Sequence, residues 1–300
     1  MRESIDSRFL RGKLKSPMIK ARSLIGANVE LVLGGRTVTL KKFDVLMMVP
    51  ASFFTLYMLI SLFDLFTALS SWPLVLAQLL SNRVILALRV SVTSSTVVAI
   101  IALFLGIPVS WMLAYKDFKG KPILETLIVS IPQAYPPGVV GTTYLLMFSA
   151  FSPVGSTLGR AGINLVNTSW AMILVKVFVS TPFLVSLLIQ RFRSIRETDL
   201  EIIARSLGAS DLKTFLTVTL PLSYKAIIAG TAGCWARAMG EIAGTIVFAG
   251  AVVPGVTETM PAIIVFEAQR DLPAALALAL IMSTFSIVVL VSFRVLMERQ

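Results

Sequence analysis

Residues 90–115 read VSVTSSTVVAIIALFLGIPVSWMLAY and carry no charged side chain. An α-helix rises about 1.5 Å per residue, so roughly 20 apolar residues are needed to cross the hydrocarbon of a bilayer. Because this run exceeds that length, it predicts a membrane-spanning helix.

Five further apolar runs predict that the chain crosses the membrane six times. They cover Val45–Phe63, Ile123–Phe148, Trp170–Ile189, Ala226–Gly250 and Leu272–Phe293. We therefore expect an all-α membrane protein with six transmembrane helices, in which residues 43–300 form the membrane domain.

The composition agrees with a chain embedded in lipid. Hydrophobic residues make up 56% and charged residues 14% of the sequence, and the mean hydropathy is +0.85. Soluble domains carry roughly 25% charged residues. A net charge of +11 is also found in proteins that bind nucleic acid. In this chain, however, the basic residues lie between apolar runs rather than on one polar face. We expect a lipid membrane and no nucleic acid as partner.

The reactive side chains argue against catalysis. The chain has no histidine and a single cysteine, Cys234, within an apolar run. Histidine-dependent nucleophiles, histidine-ligated metal sites and internal disulfides are therefore excluded. Gly120-Lys121 is followed by Pro122 and lacks the preceding glycine of a phosphate-binding loop. We expect no enzyme activity and no cofactor or metal in this chain.

The distribution of lysine and arginine predicts the orientation. With a cytoplasmic N-terminus, the inside segments carry 10, 3, 6 and 2 basic residues, or 21 in all. The outside loops carry only Arg83, Arg160 and Arg270. This bias follows the positive-inside rule and places both termini in the cytoplasm.

The first 42 residues form a separate basic segment. They contain ten Lys or Arg and three acidic residues. Two alternating runs between Val29 and Leu40 flank Gly34-Gly35, which predicts a β-hairpin.

Charged residues within the predicted spans include Lys176, Arg237 and Glu241, and Arg89 directly precedes the second span. We expect Arg89 and Lys176, near the outer ends of their helices, to extend their stems toward the headgroups. Arg237 and Glu241 lie deeper in the fifth span and are four residues apart, so they share a helix face and can pair. For Arg237 and Glu241, we favour a structural role, in which the pair connects the fifth span to a neighbouring helix, over direct binding of a ligand.

Proline and hydroxyl side chains supply further pathway candidates. Pro136, Pro137 and Gly138 interrupt the third span, where freed backbone groups must face protein or water. They indicate either a gate or a packing kink. The hydroxyls of Thr142, Thr143 and Thr245 could line a polar route through the membrane. Ser91, Thr93, Ser94, Ser95 and Thr96 cover more than one face of the second span and indicate packing in part.

The longest inside loop, residues 191–225, contains the most specific pattern. Residues 199–221 read DLEIIARSLGASDLKTFLTVTLP. Thr198 and Glu201 have the spacing of a capping box. Gly208 is suited to a left-handed helix end, and Ser210 can cap a second helix. The apolar residues of the first helix share one face suited to a partner; they are Leu200, Ile203 and Leu207.

This segment resembles the "EAA" coupling loop of ABC importer permeases. That pattern is Glu-Ala-Ala, three residues, Gly, and nine residues before Ile-x-Leu-Pro. The positions that match this pattern are Ala204, Gly208 and Val218-Thr219-Leu220-Pro221. Glu201, Arg205 and Ala209 are their neighbours in the loop. Ile202 stands where the Glu is expected and Ile203 where the first Ala is, while Glu201 lies one residue early.

A second stretch is similar to permeases for molybdate, tungstate and sulfate. Residues 235–261 read WARAMGEIAGTIVFAGAVVPGVTETMP and resemble the family pattern Arg-Ala-x-Gly-Glu-Phe-Gly-Ala-Thr, followed by Ala-Gly-Asn-x-Pro-Gly. Ile242 replaces the Phe, and Ala251-Val252-Val253 replaces the Asn and its neighbour. Ser152-Pro153-Val154-Gly155 similarly matches a Gly-Pro-Leu-Gly segment.

The resemblances imply a type I ABC importer permease in the plasma or inner membrane. Such a permease assembles as a homodimer with two ATPase subunits, which bind ATP-Mg and dock on the coupling loop. An extracytoplasmic binding protein delivers the oxyanion. The implied substrate is molybdate or tungstate. The alternatives are sulfate, phosphate or an organic solute in the same importer class, or an ion-coupled secondary transporter.

Overall fold

The computed structural model describes residues 28–33, 36–67 and 72–298. Most of the predicted basic segment, residues 1–27, lies outside the described residues. The chain divides into two compact units, residues 1–68 and 69–300. The first apolar helix falls in the same unit as the hairpin that precedes it.

The first unit contains a hairpin and one long helix. Strands β1 (Asn28–Leu33) and β2 (Arg36–Lys41) are antiparallel, with Val29 opposite Leu40. They form where the alternating sequence predicts them. Helix α1 (Lys42–Thr67) begins at the next residue. None of its most apolar window, Leu46–Asp64, is buried within the chain, as suits a helix surrounded by lipid.

All regular elements among the described residues of the second unit are helices. In chain order, its helices are α2 (Trp72–Leu79), α3 (Asn82–Tyr115), α4 (Lys121–Glu125), α5 (Ile131–Ala134), α6 (Pro137–Phe148), α7 (Pro153–Arg160), α8 (Ser169–Arg196), α9 (Leu200–Ser206), α10 (Asp211–Thr214), α11 (Leu220–Leu222), α12 (Tyr224–Met239), α13 (Ala243–Ala249), α14 (Met260–Ala268) and α15 (Leu272–Glu298). The π-helical turns Thr126–Ser130 and Phe215–Thr219 connect α4 to α5 and α10 to α11.

Four helices of the described chain, α1, α3, α8 and α15, are long and apolar enough to cross a membrane. The number rises to six if two bent helix pairs each count as one span. The first pair is α6 with α7, bent by 57°, and the second is the α10–α11 segment with α12, bent by 68°.

The predicted third and fifth spans are not continuous helices. The third is interrupted between α5 and α6, where Tyr135 and Pro136 are extended, because consecutive prolines remove backbone donors and restrict the residue before them. The fifth is interrupted between α12 and α13, at residues 240–242.

Helix α8 lies at the centre of the second unit and joins two apolar clusters. Its Leu184 and Phe192 pack with Val98 of α3 and Cys234 of α12. Its Val175 joins a second cluster that contains residues of α6 and α13. These clusters fix the broken third and fifth spans against a continuous helix.

Candidate functional site

Residues 199–221, the loop segment, form two short helices separated by a glycine turn. Gly208 has φ +86°, and its N–H donates to the Arg205 carbonyl oxygen at 2.9 Å. Ser210 Oγ accepts from the Lys213 N–H at 3.3 Å and caps α10. The predicted left-handed turn and the second cap are both confirmed.

One face of the loop segment is apolar and exposed. Leu200 is 46%, Ile203 53% and Leu207 84% exposed. Ile202 and Leu212 add 59% and 69% exposed side chains on either side of the turn. A small helix that leaves this much apolar surface uncovered is suited to contact with another protein.

Glu201 makes a contact that the capping-box prediction missed. The predicted capping box is wrong, because the Thr198 hydroxyl donates to the Ile195 carbonyl oxygen at 2.6 Å instead of capping α9. Glu201 is 6% exposed and points inward. Its Oε1 accepts from the Tyr115 hydroxyl at 2.8 Å and from the Thr219 hydroxyl. This carboxylate therefore joins α9 to the end of α3 and to the π-helical turn before Pro221.

Aromatic and ionic contacts surround this junction. Trp111 stacks on Tyr115 with ring centroids 5.7 Å apart. Arg196 donates to the Ala114 carbonyl oxygen at 3.0 Å and pairs with Asp117 at 3.2 Å. A hydrogen bond from Lys121, and then one from Arg196, lower the pKa of Asp117 below its usual value. Phe215 of the loop segment packs edge-on against Trp111 of α3 and Phe192 of α8, which ties the loop segment to both helices.

The other predicted loop residues have different environments. Arg205 pairs with Asp211 at 3.1 Å across the glycine turn. Both line a cavity of about 330 Å³ together with Trp111 and Glu201. The remaining predicted residues are half-buried or exposed: Ala204, Ala209, Leu220 and Pro221.

The breaks of the third and fifth spans pack directly on each other. A Cβ atom on Gly141 would lie 2.6 Å from the Gly244 carbonyl oxygen. One on Gly244 would lie 2.6 Å from the Pro137 carbonyl oxygen and 2.5 Å from Cγ1 of Val175. Only glycine permits these backbones to approach so closely. Pro136, exposed, precedes this contact.

The predicted Arg237–Glu241 pair is confirmed. Arg237 Nη1 lies 2.9 Å from Glu241 Oε2, and the Glu241 side chain is 2% exposed. Its second oxygen accepts from the Gly244 N–H at 2.9 Å. Glu241 therefore satisfies a backbone donor at the start of α13 as well as the arginine, and it holds the two halves of the broken fifth span together.

Lys176 differs from the sequence prediction. Arg89 is exposed, in agreement with its prediction, but Lys176 has no exposed surface. Its Nζ donates to Ser94 Oγ at 2.8 Å. The expected extension toward the headgroups is wrong for Lys176, because its helix α8 is covered by α3 at this position.

The predicted pathway hydroxyls do not form one cluster. Thr142 and Thr143 are exposed, and the Thr142 hydroxyl donates to the Gly138 carbonyl oxygen at 3.0 Å. Thr245 is fully buried on α13, and its hydroxyl has no hydrogen-bond partner in the described part of the chain. The structure therefore brings Pro137, Glu241 and Thr245 to the same pair of breaks and leaves Thr142 and Thr143 outside it.

The serines of α3 connect three elements. Ser91 Oγ accepts from the Met260 N–H at 2.9 Å, Ser94 contacts Lys176, and Ser95 contacts the Met239 sulfur at 3.9 Å. These hydroxyls pack the bundle, as small polar residues do between membrane helices. Arg83, at the same end of α3 as Ser91, pairs with Glu258 at 2.6 Å and Glu267 at 2.9 Å.

The profile of the binding-protein-dependent transport system inner membrane component family matches residues 85–300. The chain belongs to this family. It is a membrane component of a transport system, and the match contains the loop segment, Lys176 and both span breaks.

Relatives of this transport component include permeases for oxyanions. The chain is 32% identical over 219 residues to a molybdate/tungstate transport system permease of Pyrococcus abyssi, covering 72% of this chain and 80% of the relative. It is 33% identical over 211 residues to a molybdenum transport system permease of Mycobacterium tuberculosis, covering 70% and 79%. A probable sulfate transport system permease of Zygnema circumcarinatum is 30% identical over 229 residues and 76% of each chain.

A solved structure has the same fold. It is a bacterial alginate ABC transporter in complex with an alginate pentasaccharide-bound periplasmic protein. The superposition has a TM-score of 0.65 at 16% identity and covers 85% of this chain and 92% of the other. Among the described residues of the permease, no group of three or more His, Cys, Asp or Glu side chains could hold a metal ion.

Proposed function

We propose that this permease is the translocation subunit of an ATP-driven importer for molybdate and tungstate. The main support for this substrate is sequence identity: the chain is 32–33% identical, over most of its length, to permeases for molybdate/tungstate and molybdenum. The Arg237–Glu241 pair supports it, because a pathway for a dianion should not present an unpaired carboxylate.

The substrate test is uptake by vesicles that contain the permease, its ATPase and its binding protein. Labelled molybdate and tungstate should accumulate in an ATP-dependent manner, with sulfate transported more slowly. Accumulation of sulfate alone would refute the proposed substrate. Sulfate is the second candidate because the Zygnema relative is a probable sulfate permease. Family membership does not support the ion-coupled secondary transporter.

The permease works with partners in this proposal. A second copy of the chain completes the pathway, two ATPase subunits bind ATP-Mg, and an extracytoplasmic binding protein delivers the anion. The binding protein is supported by the alginate transporter, which has the same fold and was solved in complex with a periplasmic protein. Catalysis of ATP hydrolysis belongs to the ATPase, and this chain itself contributes no catalytic residue.

The loop segment is the proposed docking site for the ATPase. Its exposed apolar face supplies the contact surface, and Glu201 passes force from α9 to α3 through Tyr115. The Gly208→Asp variant should insert normally but lose stimulation of ATP hydrolysis by the loaded binding protein. A Cβ at φ +86° costs about 1 kcal/mol in backbone strain, and the added charge disturbs the exposed face. Normal stimulation in this variant would show that the ATPase docks elsewhere.

Both termini and residues 191–225 are proposed to face the cytoplasm, and residues 149–169 the opposite side. The count of 21 against 3 basic residues supports this orientation. A cysteine placed at exposed Thr157 in a Cys234→Ser background should react with an impermeant thiol reagent from outside only. Labelling from the cytoplasmic side alone would show that the chain has the opposite orientation.

A further inference from the structure

Lys176 is a buried cation whose hydrogen-bonding capacity is mostly unused. Its side chain is fully buried, although a lysine ammonium has three donors. Ser94 Oγ accepts one of them at 2.8 Å and is its one acceptor within the described part of the chain. A buried charge with so few partners is expensive to maintain in a membrane protein, which indicates a function.

With Lys176 in its ammonium form, the charged groups around it leave an excess of positive charge. Glu241 interacts electrostatically with Lys176, but both of its oxygens are already engaged by Arg237 and by the Gly244 N–H. One carboxylate thus serves two cations. The electrostatic balance of this buried region would be completed by an additional anion.

Two unpartnered hydroxyls lie on α8 itself and on α13, which packs against α8. Ser180 is four residues after Lys176 on α8, hence on the same helix face, and its buried Oγ has no partner among the described residues. Thr245, equally without a partner there, follows Gly244, which packs on Val175 beside Lys176. An ammonium with nearby hydroxyl donors is the chemistry that binds a tetrahedral oxyanion.

We propose that Lys176 is the charged group of an oxyanion-binding site within the membrane-spanning bundle, with the hydroxyls of Ser180 and Thr245 as additional donors. The site rests on the proposed oxyanion transport. In the conformation described, Glu241 is the counter-charge of Lys176, and α13 packs on α8 at the neighbouring Val175. Movement of α13 away from α8 opens the site, and the transported dianion replaces the carboxylate as the partner of the lysine.

The test uses the full complex in vesicles with its ATPase and binding protein. Lys176→Met removes the charge but keeps an unbranched side chain, and replacing a buried charge by an apolar residue is often tolerated by the fold. Lys176→Arg keeps the charge. Arg89→Gln is the matched control, since it removes an exposed cation from a span. The readouts are KM and maximal rate of molybdate uptake, ATP hydrolysis stimulated by the loaded binding protein, and the Tm of the complex.

We expect Lys176→Met to lower molybdate uptake about tenfold or more, as loss of a charged hydrogen bond does, while stimulated ATP hydrolysis and Tm stay near wild type. Lys176→Arg should retain most uptake, and Arg89→Gln should retain all of it. Thr245→Val, which is nearly isosteric, should give a smaller loss of the same kind.

Two results would overturn the site. Wild-type KM and rate in Lys176→Met would show that the anion does not need this charge. A fall in Tm with proportional losses of uptake and ATP hydrolysis would make Lys176 a structural counter-charge. If vesicles with the wild-type complex import sulfate but neither molybdate nor tungstate, the proposed substrate is wrong. The Lys176 site is then tested separately, by measuring sulfate uptake in the same variants.

Discussion

The loop segment and the pair of span breaks are organised in opposite ways. The loop segment presents apolar side chains outward around one left-handed glycine and is anchored by the buried carboxylate of Glu201 and by the aromatic contacts of Phe215. The span breaks turn their polar groups inward, and Glu241 is buried where the backbones of α6 and α13 pack closely. Local sequence pattern specifies the first region, whereas contacts between distant helices specify the second. Substitutions should therefore separate the two regions by the kind of damage they cause.

The largest effect should come from closing the space between the breaks. Gly244→Ala places a Cβ 2.6 Å from a backbone oxygen and 2.5 Å from Val175, so α6, α8 and α13 must separate. We expect a loss of about 1–3 kcal/mol or more from overpacking, measured as a fall in Tm in detergent. Gly233→Ala is the control, because no heavy atom lies within 4 Å of its added Cβ. It should stabilise helix α12 by about 0.5–1 kcal/mol, and equal behaviour of the two variants would contradict the close contact.

The second effect concerns the buried ion pair. Glu241→Ala leaves Arg237 and Lys176 without their shared carboxylate, and breaking a buried pair costs about 3–5 kcal/mol in the extreme case. Because the Arg237 side chain is 30% exposed and solvent screens its charge, we expect a loss below this range and smaller than that of Gly244→Ala. Arg237→Ala should be milder, since Glu241 still faces Lys176.

The double variant sharpens this test. It should lose less stability than the sum of the single variants, because the two residues interact. It should not return to wild type, since Lys176 then has no carboxylate beside it. Additive changes in Tm would show that Arg237 and Glu241 are not coupled.

The third effect measures the anchor of the loop segment. Glu201→Ala leaves the Tyr115 and Thr219 hydroxyls without their acceptor, and an unsatisfied buried donor costs about 1–3 kcal/mol. Uptake per ATP hydrolysed should fall as well, because α9 loses its tie to α3. Glu201→Gln keeps an acceptor oxygen and should be milder, and exposed Glu197→Ala is the control. If the ratio of uptake to ATP hydrolysis is unchanged in Glu201→Ala, the contact between Glu201 and Tyr115 does not transmit force to α3.

The smallest effect is a pH dependence at the exposed end of α3. The pKa of Asp117 is lowered in the folded state by Lys121 and Arg196. Its contribution is therefore present above the ordinary Asp pKa and is lost as the pH falls through the folded value. Asp117→Asn should lower Tm slightly at neutral pH, and the difference from wild type should vanish in acid. Asp199→Asn, at an exposed position without a side-chain cap, is the control, and a difference that persists in acid would contradict the ionic origin.

The sequence alone determined the membrane character, the four long apolar helices, the hairpin, the turn at Gly208 and the Arg237–Glu241 pair. Each depends on residues close together in the chain: uninterrupted apolar length, alternation, a glycine suited to left-handed backbone, or spacing by one helical turn. The similarity of residues 199–221 to a coupling loop followed from the same local order.

Only the tertiary structure decided what the buried polar groups contact. Glu201 matches a capping box in spacing, yet it turns toward Tyr115, which lies 86 residues earlier in the chain. Lys176 has the position of a lysine that reaches the headgroups, but α3 covers it and supplies Ser94, 82 residues away. The contact of Gly141 with Gly244 brings together two breaks that appear in sequence as separate kinks. The physical reason is that a buried polar group takes its partner from whichever helix packs on it, and sequence spacing does not contain that neighbour.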